Sequence, residues 1–293
     1  SAALAAYYGA PVGMDAYAQA KAPVAAQLRE AIARVQHKVN ALQEAMKSED
    51  ELARLRQSGE LLLAYQYTIE PGAETFAAQY DPDQPPLEIT LDPSLSPLEN
   101  AKRYFARYEK AKRAIADVPK RLKAAQNELA FLRQLETDLA MATNWPEIDE
   151  VREALEREGY WRGPRQSRPK SGKSAPLKVT TSDGFVIWIG RNSRQNDLVT
   201  FSKGSPDDLW LHARGVPGAH VIIKSGGREV PETIIRRAAE LAAFFSAARE
   251  DSRVLVDVTR RKYVRKIRGG KPGMVTYRNE EPIEVQPRGP DED

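Results

Sequence analysis

Two long apolar stripes with coiled-coil spacing lie in this one chain, and no other feature limits its fold as much. Within residues 19–57 the first stripe runs through Leu28, Ile32, Val35, Val39, Leu42 and Met46. The second runs through Tyr104, Tyr108, Ala111, Ile115, Val118, Leu122, Ala125, Leu129 and Leu132, with Leu139 in the same register and Glu136 as one interruption. Steps of three and four residues return side chains to one face of an α-helix, so each stripe predicts a helix that must cover that face with another. An antiparallel hairpin satisfies both stripes within one chain, whereas an intermolecular coil needs a partner. Helices of about 40 residues at ~1.5 Å per residue would build an arm of roughly 60 Å. Pro119 falls inside the second stripe, where a missing amide proton and a steric clash with the preceding turn predict a kink or a local break.

The connection, residues 58–97, opens with Gly59 and contains Pro71-Gly72, Pro82, Pro85-Pro86, Pro93 and Pro97. Between these breakers, Ala64–Ile69 and Leu87–Leu91 read as short strands of a β-rich junction. Ser96-Pro97-Leu98-Glu99 has the form of a capping box, with Ser at the N-cap, Pro at the first helical position and Glu at the third.

From Arg162 to Lys178 the chain carries Arg162, Arg165, Arg168, Lys170, Lys173 and Lys178 without an acid, and Pro164, Pro169, Gly172 and Pro176 break any regular element. Beyond this basic linker the texture becomes β-rich: 178–181, 185–190, 209–212, 220–224, 253–258, 274–277 and 283–285. One amphipathic helix over 231–249 shows Ile234, Ala238, Leu241 and Phe245 on a face. The expected architecture is therefore α+β. It comprises a helical lead-in over 1–18, a coiled-coil hairpin over 19–160 with its β junction at 58–97, a basic linker over 161–177, a compact mixed α/β domain over 178–287 and a frayed tail over 288–293.

The chain has 293 residues and no cysteine, which excludes disulfides, thiolate nucleophiles and cysteine-ligated zinc. No run of about 18 apolar residues is present and no signal-peptide pattern opens the chain, so neither a membrane nor secretion is expected, and the cytoplasm is. Lys and Arg total 44 against 41 Asp and Glu, a net charge of +3 that says little by itself, so the placement of charge carries the argument.

Placement is uneven. Between Arg253 and Lys271 the chain presents Arg253, Arg260, Arg261, Lys262, Arg265, Lys266, Arg268 and Lys271 against one acid, Asp257, with Tyr263 and Val264 tying the run to the fold and Gly269-Gly270 leaving its main chain bare. Such a cluster offers several cations to a phosphate backbone; otherwise it is a solvated loop. A second run lies on the hairpin, where Lys102, Arg103, Arg107, Lys110, Lys112, Arg113, Lys120, Arg121 and Lys123 face only Glu109 and Asp117. Coiled-coil faces usually mix signs, so the bias suggests a polyanion, unless Glu44, Glu49 and Glu51 of the first helix pair with it.

Asp207-Asp208-Leu209-Trp210-Leu211-His212 and the later His220 set two histidines beside two carboxylates. A metal site or a His-dependent hydrolase would need such groups, but no third ligand follows at zinc spacing. The apolar flanks of both histidines favour imidazoles held in a core. We expect no metal, no cofactor and no catalytic site, and take Asp208, Trp210, His212 and His220 as a possible functional surface of the α/β domain. Ser171-Gly172-Lys173-Ser174 imitates the end of a P-loop but has Ser167 in place of the first glycine.

The strings SDGFVIWIGRNSRQNDLVT (182–200), DLWLHARGVPGAHVII (208–223), AAELAAFFSAAR (238–249) and KIRGGKPGMVTY (266–277) resemble the R domain of the NFACT family, some of whose members have long been labelled fibronectin-binding protein A. GELLLAYQYTI (59–69) and LDPSLSPLENAKRYFARYEKAKRA (91–114) resemble its middle coiled-coil domain, and EIDEVREALEREGY (147–160) the segment between the two. Nothing resembles the family's N-terminal and helix–hairpin–helix domains, which together with Ser1 suggests a C-terminal piece. The resemblance implies a ribosome-associated quality control factor that binds a large ribosomal subunit carrying stalled peptidyl-tRNA and supports alanine tailing. It further implies a hairpin that reaches toward the stalk base and an R domain that contacts tRNA or rRNA. The older label implies an alternative partner, fibronectin. On this reading Arg260, Arg261, Lys262, Arg265, Lys266, Arg268 and Lys271, with Arg103, Arg107, Lys110 and Arg113 of the hairpin, are the expected nucleic-acid contacts.

Overall fold

The structure, a computed structural model, describes residues 12–47, 49–163 and 172–291. Arg165, Arg168, Lys170 and Ser171, all cited above, lie outside the described residues, as does the lead-in before Val12. The chain divides into two compact units: Gln36–Gln126, and a second built from the chain up to Val35 together with Asn127–Asp293.

In the smaller unit, helix α2 (Glu49–Ala64) continues from helix α1 (Val12–Lys47) and packs against helix α3 (Pro97–Ile115). Gly59 lies under Phe105 while Leu61 and Leu62 reach Ala101, so the two helices run in opposite directions. A Cβ on Gly59 would sit 2.9 Å from the Phe105 ring. That glycine therefore serves close approach and does not end the helix. The run expected as a strand over Ala64–Ile69 is instead the end of α2 and a series of turns. The reason is burial at helical spacing, since Leu61 and Leu62 feed a core shared with Ile69, Ile89 and Leu91. The strands of the junction are β1 (Thr75–Ala78) and β2 (Leu87–Thr90), paired antiparallel with Phe76 opposite Ile89.

The α3 cap forms as its sequence predicts. Ser96 Oγ accepts the Glu99 amide at 3.3 Å, and the Glu99 carboxylate accepts the Ser96 amide at 2.8 Å, so two amides that the helix leaves without partners are satisfied. Helix α3 stops at Ile115 and helix α4 (Val118–Met141) begins three residues later, with Pro119 in its first turn, where the missing N–H costs nothing.

In the larger unit, Lys21 of α1 donates to the Ala140 carbonyl of α4 at 3.2 Å and Tyr17 meets Trp145 at 5.3 Å. Early α1 is thus antiparallel to late α4. The buried α1 positions in this unit are Val24, Leu28, Ala31 and Val35, followed by Val39 and Leu42 beyond it, so Ala31 takes the seam where Ile32 was expected. On α4, Leu135 is buried beside Leu132 and Leu139, and it fills the position at which Glu136 seemed to interrupt. A straight helix turns every 3.6 residues, so an apolar stripe drifts off a strict heptad and the buried face moves one residue over. Helix α5 (Trp145–Arg157) follows, capped by Asn144, whose Oδ1 accepts the Glu147 amide at 3.1 Å.

The α/β domain is one six-stranded antiparallel sheet in the order β10-β7-β5-β6-β4-β3. Its strands are β3 (Leu177–Thr180), β4 (Val186–Gly190), β5 (Leu209–Ala213), β6 (His220–Lys224), β7 (Val254–Arg260) and β10 (Glu281–Val285). Alternate side chains point to opposite faces. Ile187, Leu211, Val221, Ile223 and Val256 meet helix α7 (Glu232–Phe244), whose Ala238, Ala239, Ala242 and Ala243 allow close packing. Trp210 and Ile222 point the other way and are covered by Val199 and Val264. The cover on this second face comes from elements of which only the last strand, within the expected run 274–277, was read from the sequence. They are helix α6 (Ser193–Leu198), a π-helical turn (Val199–Lys203), a 3-10 turn (Arg261–Tyr263) and the short pair β8 (Arg265–Lys266) and β9 (Val275–Thr276).

Candidate nucleic-acid interface

The basic run after β7 is held in place by its backbone. The Arg261 amide donates to the Asp208 carbonyl and the Lys262 amide to the Pro206 carbonyl, each at 2.9 Å. Val264, fully buried, plugs the run into the Trp210 core. At the far end the Gly273 amide donates to Asp197 at 3.1 Å, and its φ of 80° together with the nearby Ser193 main chain excludes a larger residue.

Cations along this rim differ in how they are held. Arg261 donates to the Thr200 carbonyl at 2.9 Å and lies over Phe201, so it is part of the packing. Lys262 pairs with Asp207 at 2.8 Å, Lys266 with Asp197 at 2.7 Å, and Lys271 with Glu158. Arg260 reaches the Asp207 carbonyl, at 3.3 Å. Arg265 and Arg268 are exposed and make no ion pair among the described residues. Lys262 and Arg265 also line a cleft with Tyr263, Thr276, Tyr277 and Arg278. Arg278 was not anticipated, because it stands alone in sequence after the basic run.

Hairpin cations lie in the other unit. Arg103 pairs with Asp92 at 2.8 Å, Arg113 donates to the Glu109 carbonyl at 3.1 Å, and Arg107 covers Tyr104. Lys110 is exposed and makes no ion pair among the described residues, and the side chain of Glu49, one of the acids weighed as a partner, lies outside them.

Trp210, His212 and His220 come together as an aromatic knot, with His212 half-buried, while Asp208 is engaged instead by Lys224, Ser205 and Ser225. Burial would raise the Asp208 carboxyl, but the Lys224 ammonium and the amides of Ser205 and Ser225 outweigh it and hold the group below the usual carboxylate range. Trp210 stacks within 10° of His212 at 5.7 Å and meets His220 edge-on at 5.1 Å. His220 shares a 2.8 Å hydrogen bond with Thr200, and its amide donates to Asn196 at 2.9 Å. Burial pushes the His212 imidazole down to about 4 and drives that of His220 well below its ordinary range, so both rings are neutral near pH 7. Asp207 is taken by Lys262 and Asp208 by Lys224, so neither carboxylate couples to a histidine. The aromatic knot forms one end of a cavity that Tyr277 also lines. Among the described residues no three carboxylate or imidazole side chains converge as metal ligands, and no helix is long and apolar enough to cross a membrane.

A second polar cluster, unforeseen from sequence, joins α4 and α5 to the start of α6. Asp138, buried, accepts Gln134 at 2.7 Å and the Ser193 amide at 2.9 Å. Glu150 accepts Arg194 and Asn192 at 2.8 and 2.7 Å. Burial raises the Asp138 carboxyl to about 7 despite these donors. Single polar residues on separate elements carry no periodic signal, which is why this cluster was not legible.

Comparison with known proteins bears on the same residues. Residues 1–174 match the family described as NFACT N-terminal and middle domains, and residues 176–279 match the NFACT protein RNA binding domain. The chain is 36% identical over 256 residues to the Rqc2 homolog RqcH of Bacillus subtilis, covering 86% of this chain and 44% of that protein. It is also 36% identical over 286 residues to the Streptococcus suis protein of the same name, covering 94% and 51%. The chain thus spans about half the length of these relatives. Its fold is similar to the solved C-terminal part of the fibronectin/fibrinogen-binding protein from Streptococcus suis. The TM-score is 0.63 at 32% identity, over 90% of this chain and 95% of that one. A helical hairpin, a six-stranded sheet and these matches lead to one conclusion: the chain belongs to the NFACT family.

Proposed function

We propose that this chain is the RNA-binding part of an RqcH-like ribosome-associated quality control factor, working with ribosomes in the cytoplasm. In this reading it contributes binding, not chemistry. The α/β rim grips rRNA or tRNA, the hairpin reaches along a stalled large subunit toward the stalk base, and the whole protein supports alanine tailing on peptidyl-tRNA. One observation carries the reading: the stretch that matches an RNA-binding domain, 176–279, is the stretch whose backbone fixes the cationic rim from Arg260 to Lys271. Co-sedimentation of the chain with purified large subunits across a salt series tests it. Binding that falls steeply with salt is expected, because each neutralised phosphate releases condensed counterions. No binding at low salt would sink it.

The name of the Streptococcus suis structure supports a second reading, in which the chain binds fibronectin. Capture on immobilised fibronectin, run beside the large-subunit assay at equal chain concentration, separates the two. Tighter capture by fibronectin would reverse the ranking.

A further inference from the structure

Beside the aromatic knot lies a cavity of about 360 Å³, within the ~300–1,000 Å³ range that suits a small organic ligand. It is lined by Trp210, His212, His220, Met274 and Tyr277, with Ala130 and Arg133 contributed by α4. The rings are held rigidly. Tyr277 donates its hydroxyl to the buried Asp257 at 2.8 Å, and Asp257 is paired in turn with Arg214. The Trp210 indole N–H is buried without an acceptor, a donor that a protein interior rarely leaves unmet. Among the described residues lining the cavity there is no carboxylate to hold a cationic ligand, and no three side chains converge there as metal ligands. Both imidazoles are neutral near pH 7, and His220 Nδ1 is already shared with the Thr200 hydroxyl.

Across Tyr277 opens the second cleft, about 280 Å³, lined by Lys262, Tyr263, Arg265 and Arg278. An aromatic, hydrogen-bonding environment with one cation at its wall, Arg133, therefore adjoins a strongly cationic one, with a single tyrosine belonging to both. This polarity matches a nucleotide, whose base is planar and neutral and whose phosphate is anionic. Single-stranded RNA is bound in general by such stacking surfaces beside basic grooves.

We propose that the α/β domain captures one unpaired RNA nucleotide, seating the base against His212 and Tyr277 and the phosphate on Lys262, Arg265 and Arg278. This rests on the RNA-binding reading above and narrows it to single-stranded segments.

The test uses the full chain and two short oligoribonucleotides, one carrying a single 2-aminopurine and one abasic at that position. Binding should quench the 2-aminopurine, and the abasic oligomer should bind about tenfold more weakly. Ala130 is exposed on α4, so Ala130→Phe fills the cavity edge without entering the core. It should abolish both the quench and the tenfold difference, while Ala130→Ser keeps them. Equal affinity for the two oligomers with no quench would overturn the base pocket and leave RNA binding intact. An unchanged quench in Ala130→Phe would overturn its location. Failure of both oligomers to bind would bring down both readings.

Discussion

The two basic regions of this chain have similar composition and different construction. Along the rim of the α/β domain, Arg261 is packed against Phe201, while Lys262, Lys266 and Lys271 are each held by a carboxylate. On α3, Lys110 is exposed and Arg107 lies over a ring on its own helix, although Arg103 is paired with Asp92. A tethered cation has lost its freedom before the ligand arrives, but it must exchange a carboxylate for a phosphate. A free cation pays its ordering entropy on binding and is screened by salt. On the proposed RNA-binding reading, the paired rim cations position a nucleic acid, while the unpaired ones, Arg265 and Arg268 on the rim as well as Lys110 on α3, attract it.

The largest effect that would break this contrast is in the rim's support. Trp210→Ala removes a fully buried ring and should cost about 3–5 kcal/mol. Urea unfolding should show the loss in the α/β domain, and RNA binding should fall with it. A loss under 1 kcal/mol would mean that the rim does not depend on the knot.

A pH series sharpens the contrast next. The Asp138 carboxyl is raised to about 7 in the folded chain against about 3.9 when unfolded. The folded state therefore holds the proton more tightly, and this group's stabilisation is full below pH 4 and lost as pH rises toward 7. The slope in that window is about 1.4 kcal/mol per pH unit. His212 acts in the opposite sense: its folded value near 4 lies below the unfolded one, so its contribution is present above about 6.5 and lost as pH falls. The two oppose each other between pH 4 and 6.5, so wild type alone is uninformative. The difference in stability between wild type and Asp138→Asn should change across pH 4–7, and a flat difference would contradict the buried carboxyl.

In the smaller unit the expected effects are smaller. Ser96→Ala removes the capping-box hydroxyl and should cost about 1 kcal/mol by thermal melting. An unchanged melting temperature would show that α3 does not need its cap. Gly59→Ala sets a helix-propensity gain of about 1 kcal/mol against about 1–3 kcal/mol of overpacking on Phe105. A net loss near 1 kcal/mol is expected, and a net gain would show that the ring gives way.

How much of this was legible follows from the physics of each signal. Periodic burial is readable, so both helical stripes, the alternating strands and helix α7 were visible, as was the Ser96–Glu99 cap. Register within a stripe is less so, because a helix drifts against a heptad: Ala31 replaced Ile32, and Leu135 covered the gap at Glu136. The strand expected at Ala64–Ile69 failed because Gly59 looked like a helix stop when it was a contact with Phe105. At the site, the rim cations and the knot residues were named from sequence. Their partners, Thr200, Asp197, Glu158 and Tyr277, come from distant segments that only tertiary packing unites.

The central claim is that the rim binds RNA as a positioned site, and a salt series with matched charge reversals tests it most directly. Fluorescence anisotropy of labelled tRNA would be read for wild type, Lys262→Glu/Arg265→Glu and Arg107→Glu/Lys110→Glu. The rim pair should lose the larger share of affinity, with the log–log salt slope reduced by about 0.7–0.9 per lost phosphate contact. The helix pair should lose less. Unchanged affinity and slope in the rim variant, with the helix variant carrying the whole loss, would contradict the account.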